Sequence, residues 1–323
     1  MTVILGSATR EGALGMPEAI DLLERAFAHE AAGKTAVSPR THVDLEGGGS
    51  MRILLAADYE SGYYATKAYN RTPDLGTRYI VSLYRLQDGE LLALIDARMI
   101  TDLRTGAASG VIARKVPIAG PITVGVVGSS NQGRAQLRSL ASAYRVQSAA
   151  VYSPSVLKCE AYAREMSAEL GFPITVADSV KSAVLGRTVV ATASRARGEK
   201  PILYGEWLDG CRLLCAVGNT RKQFSEADVQ CFRDAKLVVV DSLNAWQATG
   251  ELVQAAAAGA VPESRRATLA QIVSGAMAVP AEGLVVYKPV GTALEDLAVA
   301  TRFYELLGSR PELVRTSELA TLR

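Results

Sequence analysis

The hexapeptide Gly128-Ser-Ser-Asn-Gln-Gly133 follows directly on the largely apolar run Ile122-Thr-Val-Gly-Val-Val127, and no other stretch restricts the fold of this chain as strongly. A run with so little alternation is a strand buried on both faces, the environment of a parallel sheet between helical layers. After the turn, Leu137, Leu140, Ala141 and Tyr144 share one helical stripe. Strand, glycine turn and helix in this order form a phosphate cradle. The first glycine lets the chain leave the strand sharply, the second lets backbone N–H groups approach a pyrophosphate, and the third lets the helix pack on the sheet. Gly128 and Gly133 take the outer positions, but Ser130 takes the middle one. Either its Cβ holds the phosphates farther out or its hydroxyl donates to them. A turn that binds no phosphate is the remaining reading.

The segments that follow keep the same alternation. Strand candidates at 148–152, 174–177, 188–193, 213–217 and 237–240 are accompanied by a helix whose stripe reads Cys159, Tyr162, Ala163, Met166 and Leu170. The pattern predicts an α/β fold with a Rossmann-type doubly wound parallel sheet.

The first third of the chain has a different period. Pro17 opens a helix with Ile20, Leu23 and Phe27 on one face, and Met51, Ile53 and Leu55 alternate at strand spacing. Strand-like segments at 78–86 and 90–96 flank Gln87-Asp88-Gly89, where Asp-Gly supplies the positive φ angles of a tight turn. Gly47-Gly48-Gly49 reads as a hairpin or loop, since no helical pattern follows it. Pro117, Gly120 and Pro121 punctuate a linker. Near the other end, Thr292-Ala-Leu-Glu295 is a capping box for a helix carrying Leu294, Leu297, Ala298, Thr301 and Tyr304 on one face. The expected division is residues 1–118 with 294–323 as one α+β domain and 119–293 as the parallel α/β domain.

Composition excludes several classes. The 323 residues are 49% hydrophobic and 21% charged, the profile of a globular chain with room for two domains. No apolar run reaches the roughly 20 residues that span a bilayer, and the start lacks the basic and apolar regions of a signal peptide. The expectation is a cytoplasmic protein. Cys159, Cys211, Cys215 and Cys231 form no C-x-x-C pair, and His29 and His42 are the only histidines, so neither a metal site nor a Ser-His-Asp triad is expected. A formal net charge of +2 with dispersed Lys and Arg gives no reason to expect nucleic acid.

Ile100-Thr-Asp-Leu-Arg-Thr-Gly-Ala-Ala-Ser109 begins a helix, with Thr101 read as its N-cap. Arg104 then falls in the first turn, where the helix dipole disfavours a cation. It either shares a carboxylate or phosphate with that helix end or pairs with Asp102 or another acid.

Taken in order, Leu92-Ala-Leu-Ile-Asp96, the Ile100-Thr-x-x-Arg-Thr105 segment, Gln132-Gly-Arg-Ala135, Trp207-Leu208, Ala216-Val-Gly218, Val240-Asp-Ser242 and Gly291…Glu295-Asp296 resemble the ornithine cyclodeaminase/mu-crystallin family from about residue 39 to about residue 307. The resemblance implies a nicotinamide-dependent homodimer in which both chain ends build a substrate and dimerisation domain. It implies a small, amino-acid-like carboxylate substrate and hydride exchange at a carbon bearing nitrogen. Arg40, Lys67 and Arg104 match the family's carboxylate-binding cations, and Lys67 is the catalytic proton-transfer candidate. Left to their own spacing, Arg40 and Lys67 also read as solvated strand-edge charges. The cofactor would be lined by Thr105, Gly128, Ser130, Asn131, Gln132, Ser153, Ser155, Thr192, Val217, Gly218 and Gly291.

Two departures from the family pattern narrow the expectation. Cyclodeaminases carry an acid shortly after the segment matching Ala216-Val-Gly218, and this chain reads Asn219-Thr-Arg-Lys222 there. A diamine loses the partner for its ammonium, so reduction of an imine or ketimine carboxylate is expected over ammonia-releasing cyclisation, with a non-catalytic ligand-binding protein as the other alternative. The strand matching 148–152 ends in Tyr152-Ser-Pro-Ser155, without the acid that accepts from a ribose 2′-hydroxyl. Ser153 and Ser155, with Arg134 and Lys158 near, are expected to hold a 2′-phosphate, favouring NADP(H) over NAD(H).

Overall fold

The computed structural model describes residues 2–6, 13–72, 76–194 and 200–309 and the backbone of 314–316. The chain starts with strand β1 (Thr2–Leu5) and helix α1 (Met16–Ala31). Pro17 lies at the start of α1, where no intrahelical N–H is needed, and Ala19, Ile20, Leu23, Ala26 and Phe27 form its buried stripe. Then come β2 (Thr35–Val37), β3 (Thr41–Leu45), β4 (Gly49–Asp58), β5 (Tyr63–Thr72), β6 (Gly76–Arg85) and β7 (Leu91–Asp96). The run from β3 to β7 is antiparallel throughout, and Gly47-Gly48 lies in the β3–β4 hairpin. At the β6–β7 turn only Gly89 takes a positive φ, +74°; Asp88 does not, because among the described residues only glycines occupy that region.

Helix α2 (Arg98–Lys115) begins earlier than Thr101. The Asp96 carboxylate accepts from the Arg98 N–H at 3.1 Å, so the acid ending β7 caps the helix. Thr101 is therefore inside the first turn, where its hydroxyl donates to the Ala97 carbonyl at 2.9 Å, and Arg104 falls in the second turn.

The parallel array runs β8 (Ile122–Val127), α3 (Asn131–Ala143), β9 (Val146–Tyr152), α4 (Val156–Leu170), β10 (Ile174–Val176), α5 (Val180–Val184), β11 (Val189–Thr192) and β12 (Leu213–Ala216). It continues through α6 (Val229–Asp234), β13 (Leu237–Val240), α7 (Ala245–Ala248), α8 (Gly250–Ala257), β14 (Arg266–Thr268), α9 (Leu269–Val273) and β15 (Val285–Tyr287). Strand order in this sheet is β10-β9-β8-β11-β12-β15-β13-β14, all parallel. The doubly wound α/β fold read from the pattern is present, and its order reverses between β8 and β11. Strands β14 and β15 are not foreseen by the pattern, being three residues each. β15 is inserted between β12 and β13, where Val286 joins Val190, Leu214, Val238 and Val240 in the core against Phe232 and Leu252.

Helix α10 (Ala293–Leu307) and β16 (Val314–Thr316) complete the first sheet, whose order is β16-β1-β7-β6-β5-β4-β2 with β3 also on β4. The chain thus divides into one unit of Met1–Arg104 with Thr292–Arg323 and another of Thr105–Gly291. Within the first, α10 lies against β4, β5 and β6. The Thr292 hydroxyl accepts from the Glu295 N–H at 3.4 Å, but the Glu295 carboxylate does not close a capping box; it turns to Arg104.

Candidate active site

In the first unit, strand alternation on β5 sends Lys67 to the face covered by α10, where it is 3% exposed. Its ammonium donates to the Thr101 hydroxyl at 2.6 Å and to Asp296 Oδ1 at 2.8 Å. Since Thr101 gives its own proton to Ala97, its lone pairs are left to receive Lys67. Arg104 Nη1 lies 2.8 Å from Glu295 Oε2, and its Nε lies 3.4 Å from Asp296 Oδ1. Arg104 is thus paired with two acids of α10. Glu295 and Asp296 are each 1% exposed.

Burial removes water from the Lys67 ammonium and pulls it down to about 8. The ion pair with Asp296 opposes this, while Arg104 and then Arg40 push the same way as burial. The rings of Tyr79 and Tyr69 stand 5.1 and 6.0 Å from Nζ, adding cation–π attraction. Arg40, between β2 and β3, is half-buried and acts here through its field. The structure therefore brings Lys67 and Arg104 together directly.

In the second unit, Gly128 leaves β8 with φ +118°, and a Cβ there would meet the Ala193 carbonyl at 2.6 Å. A Cβ on Gly133 would fall 1.9 Å from the Gly128 carbonyl oxygen, so the outer glycines are required by the turn itself. Ser130 is exposed, stands at the N-cap of α3 and makes no side-chain capping bond. Asn131 and Gln132 open α3, whose first N–H groups have no partner inside the helix, as in any α-helix. These residues fit a pyrophosphate: a close-turning backbone, a helix N-terminus and a hydroxyl that caps nothing.

At the end of β9, the Ser153 hydroxyl lies 2.8 Å from that of Ser129 and 3.1 Å from Cys159 Sγ. Ser155 caps α4 by accepting from the Lys158 N–H. Arg134 is paired with Glu165 and packs 5.1 Å from the Tyr162 ring centre, so it is committed to α4. Lys158 is exposed in the first turn of α4.

The remaining predicted cofactor residues have packing partners of their own. The Thr105 carbonyl accepts from Gln136 Nε2 at 3.2 Å. Thr192 is fully buried, its hydroxyl donating to Glu226 Oε2 at 3.1 Å. Val217 is 9% exposed. A Cβ on Gly218 would meet the Glu226 carboxylate at 2.2 Å, and the Gly291 N–H donates to Asp241.

Glu226, and the role of Asp296 as partner of Lys67, escape reading from sequence. Glu226 also accepts the Ser194 N–H at 2.8 Å, and its own N–H donates to Glu251 Oε1 at 2.7 Å. Lys288 Nζ lies 3.8 Å from Glu251 and donates to the Ala216 carbonyl at 3.0 Å. Burial raises the Glu226 carboxyl above its ordinary range. Ser225-Glu226-Ala227-Asp228 has the composition of a surface loop, so its only signal is its place between two β-strands.

All four cysteines are buried, with Cys211 and Cys215 pushed up to about 12 by burial. Among the described residues no group of three His, Cys, Asp or Glu side chains is placed to hold a metal, and no helix is long and apolar enough to cross a membrane.

The sequence profile of the ornithine cyclodeaminase/mu-crystallin family matches residues 2–310. The chain belongs to this family. It is 28% identical to the alanine dehydrogenase of Archaeoglobus fulgidus, over 94% of each chain. It is 27% identical to the ketimine reductase mu-crystallin of Mus musculus, over 70% of this chain and 68% of that one. Among solved structures, the Thermococcus litoralis Δ1-pyrroline-2-carboxylate reductase in complex with NADH and L-proline superposes with a TM-score of 0.90 at 26% identity, covering 97% of this chain and all of that one. In this chain the Lys67 and Arg104 cluster lies on the unit with both chain ends, and the glycine turn on the other.

Proposed function

We propose that this protein is a nicotinamide-dependent oxidoreductase that reduces an imine or ketimine carboxylate to an amino acid. The observation that carries the reading is the buried Lys67 ammonium, fixed by Thr101 and Asp296 beside Arg104. The likeness to a ketimine reductase and to a Δ1-pyrroline-2-carboxylate reductase supports it. A nicotinamide held at the glycine turn of Gly128–Gly133 would supply the hydride. Arg104 and Arg40 attract and orient the substrate carboxylate, which aims the carbon to be reduced. With two of its donors on Thr101 and Asp296, Lys67 Nζ has a third N–H for the substrate and holds the proton that the product nitrogen requires. The unit of Thr105–Gly291 is the dinucleotide-binding one and the unit with both chain ends the substrate-binding one.

The cofactor is NADP(H) in preference to NAD(H). The support is the end of β9, which offers hydroxyls at Ser153 and Ser155 and the exposed Lys158 where an NAD-binding strand presents an acid. The protein acts as a homodimer. Val43, Ile53, Leu55 and Ile80 are 54%, 40%, 41% and 53% exposed. The register places Ile53, Ala68 and Ile80 in one row of the sheet face opposite to that bearing Lys67. An apolar sheet face of this kind is matched by a second copy of itself.

The test is steady-state NADPH oxidation with Δ1-pyrroline-2-carboxylate, Δ1-piperideine-2-carboxylate or pyruvate plus an amine. Turnover with at least one is expected. Ammonia and proline released from ornithine as the best reaction would overturn the reading. Titration calorimetry showing much tighter NADH than NADPH binding would overturn the cofactor preference.

A further inference from the structure

The site contains a cation that the reaction as described does not use. β4 pairs with β5 so that Arg52 stands opposite Tyr69 and Leu54 opposite Lys67. Arg52 and Lys67 are therefore diagonal neighbours on one face of the sheet, at a spacing of about 7–8 Å between their attachment points. The row through Arg52 crosses four strands: His42 on β3, Arg52 on β4, Tyr69 on β5 and Tyr79 on β6. Its Tyr79 end stands 5.1 Å from the Lys67 ammonium. Two strands along from Tyr79, the row carries the Arg52 guanidinium, 5.8 Å from the Tyr69 ring centre, with Nη1 donating to the Tyr69 hydroxyl at 3.3 Å.

The partners of these cations differ. Lys67 and Arg104 each face an acid of α10. Arg52 faces none: among the described residues no carboxylate lies within salt-bridge distance of it, and its Nε is buried with no hydrogen-bond partner. Asp44, the acid diagonal to it on β3, is held by His42 at 2.9 Å. A guanidinium N–H turned inward and left unsatisfied is costly unless something is bound to it. Its planar fork matches a carboxylate.

We propose that Arg52 is the specificity-determining residue of this site and binds a second carboxylate, on the side chain of the substrate. The inference rests on the imine-reductase reading and names its substrate class: imines of dicarboxylic 2-oxo acids, giving acidic amino acids. The first carboxylate is held by Arg104 and Arg40, and the substrate lies along the Tyr69–Tyr79 row with its nitrogen at Lys67 and its far carboxylate at Arg52.

Two measurements test it. In the first, kcat/KM is compared for imines formed in the assay from ammonia with oxaloacetate or 2-oxoglutarate and with pyruvate or 2-oxobutyrate. The wild type is expected to favour the dicarboxylates. Arg52→Gln, which keeps a donor for Tyr69, is expected to lose about 10- to 100-fold on them, the worth of a charged hydrogen bond, with little change on the monocarboxylates. Arg52→Lys retains part of the preference. Equal losses on both classes, or a wild-type preference for monocarboxylates, overturns the inference. The second is binding of succinate and of butyrate to wild type and Arg52→Gln without turnover. Succinate is expected to bind the wild type more tightly, with the difference lost in the variant; no difference overturns the inference. Absence of reduction with every imine counts against the functional reading, and the binding comparison then still decides the role of Arg52.

Discussion

Lys67 shows how one residue acquires chemistry from its surroundings. Desolvation brings its ammonium to about 8, the range in which a proton donor works near neutral pH. The proton is present below that value and lost above it. kcat/KM for imine reduction is therefore expected to be level below about pH 8 and to fall tenfold per unit above it, with amine oxidation rising through the same range. Lys67→Met should cost about 10²–10⁴-fold and remove the pH dependence. A wild-type profile flat to pH 10 would sink this role. For stability the sign is opposite to that of an ordinary ion pair. Between about pH 8 and the normal lysine value the unfolded chain binds the extra proton, so this group makes folding more favourable as pH rises through that window. Lys67 and Arg104 are singled out in the sequence by the family resemblance, Arg104 within the Ile100-Thr-x-x-Arg-Thr105 segment. Asp296 is not legible as their partner, since 229 positions separate it from Lys67. Arg52 gives no local signal either: in an alternating strand it reads as a solvated charge until the register places it opposite Tyr69.

At the scale of elements, the β8–α3 turn is the part that short-range pattern describes best. Its strand, glycines and helix are consecutive, and local sterics settle its course. Gly133→Ala would drive a Cβ to 1.9 Å from the Gly128 carbonyl, so it should open the turn and lower both thermal stability and dinucleotide affinity. Ser130 is exposed and caps nothing, so Ser130→Gly should change affinity modestly, while Ser130→Trp should abolish binding. NADPH fluorescence titration and a melting curve check both; strong binding by Ser130→Trp would place the pyrophosphate elsewhere. The start of α2 is less well described by pattern. Thr101 has the composition of a cap, yet Asp96 takes that role and Thr101 becomes the acceptor for Lys67. Likewise, the residues of a capping box are present at Thr292 and Glu295, but Arg104 competes for the Glu295 carboxylate. Both departures occur where a helix end is recruited to the cluster around Lys67.

For the whole molecule, the proposed homodimer rests on the sheet face opposite to Lys67. Ile53 and Ile80 belong to one row of it, so the double substitution Ile53→Asp, Ile80→Asp should convert a dimer into a monomer of 34.2 kDa in light scattering, without loss of the folded signal. A wild type that is monomeric at micromolar concentration would refute the dimer. The sequence by itself determined what depends on neighbours within a few positions: the parallel α/β pattern, the glycine turn, the helical stripe of α1, and the family motifs; the stripe read for α10 takes in Ala298 and Tyr304, which are only half-buried, and misses Val299, Ala300 and Phe303. Only the tertiary structure decided which charges meet. It seated β15 between β12 and β13, closed the first sheet with segments from both chain ends, buried Glu226 under Gly218, and set Asp296 against Lys67. The reason is physical. Backbone geometry is set by local sterics and periodicity, whereas the partner of a buried charge is set by strand register and helix packing, which join residues hundreds of positions apart.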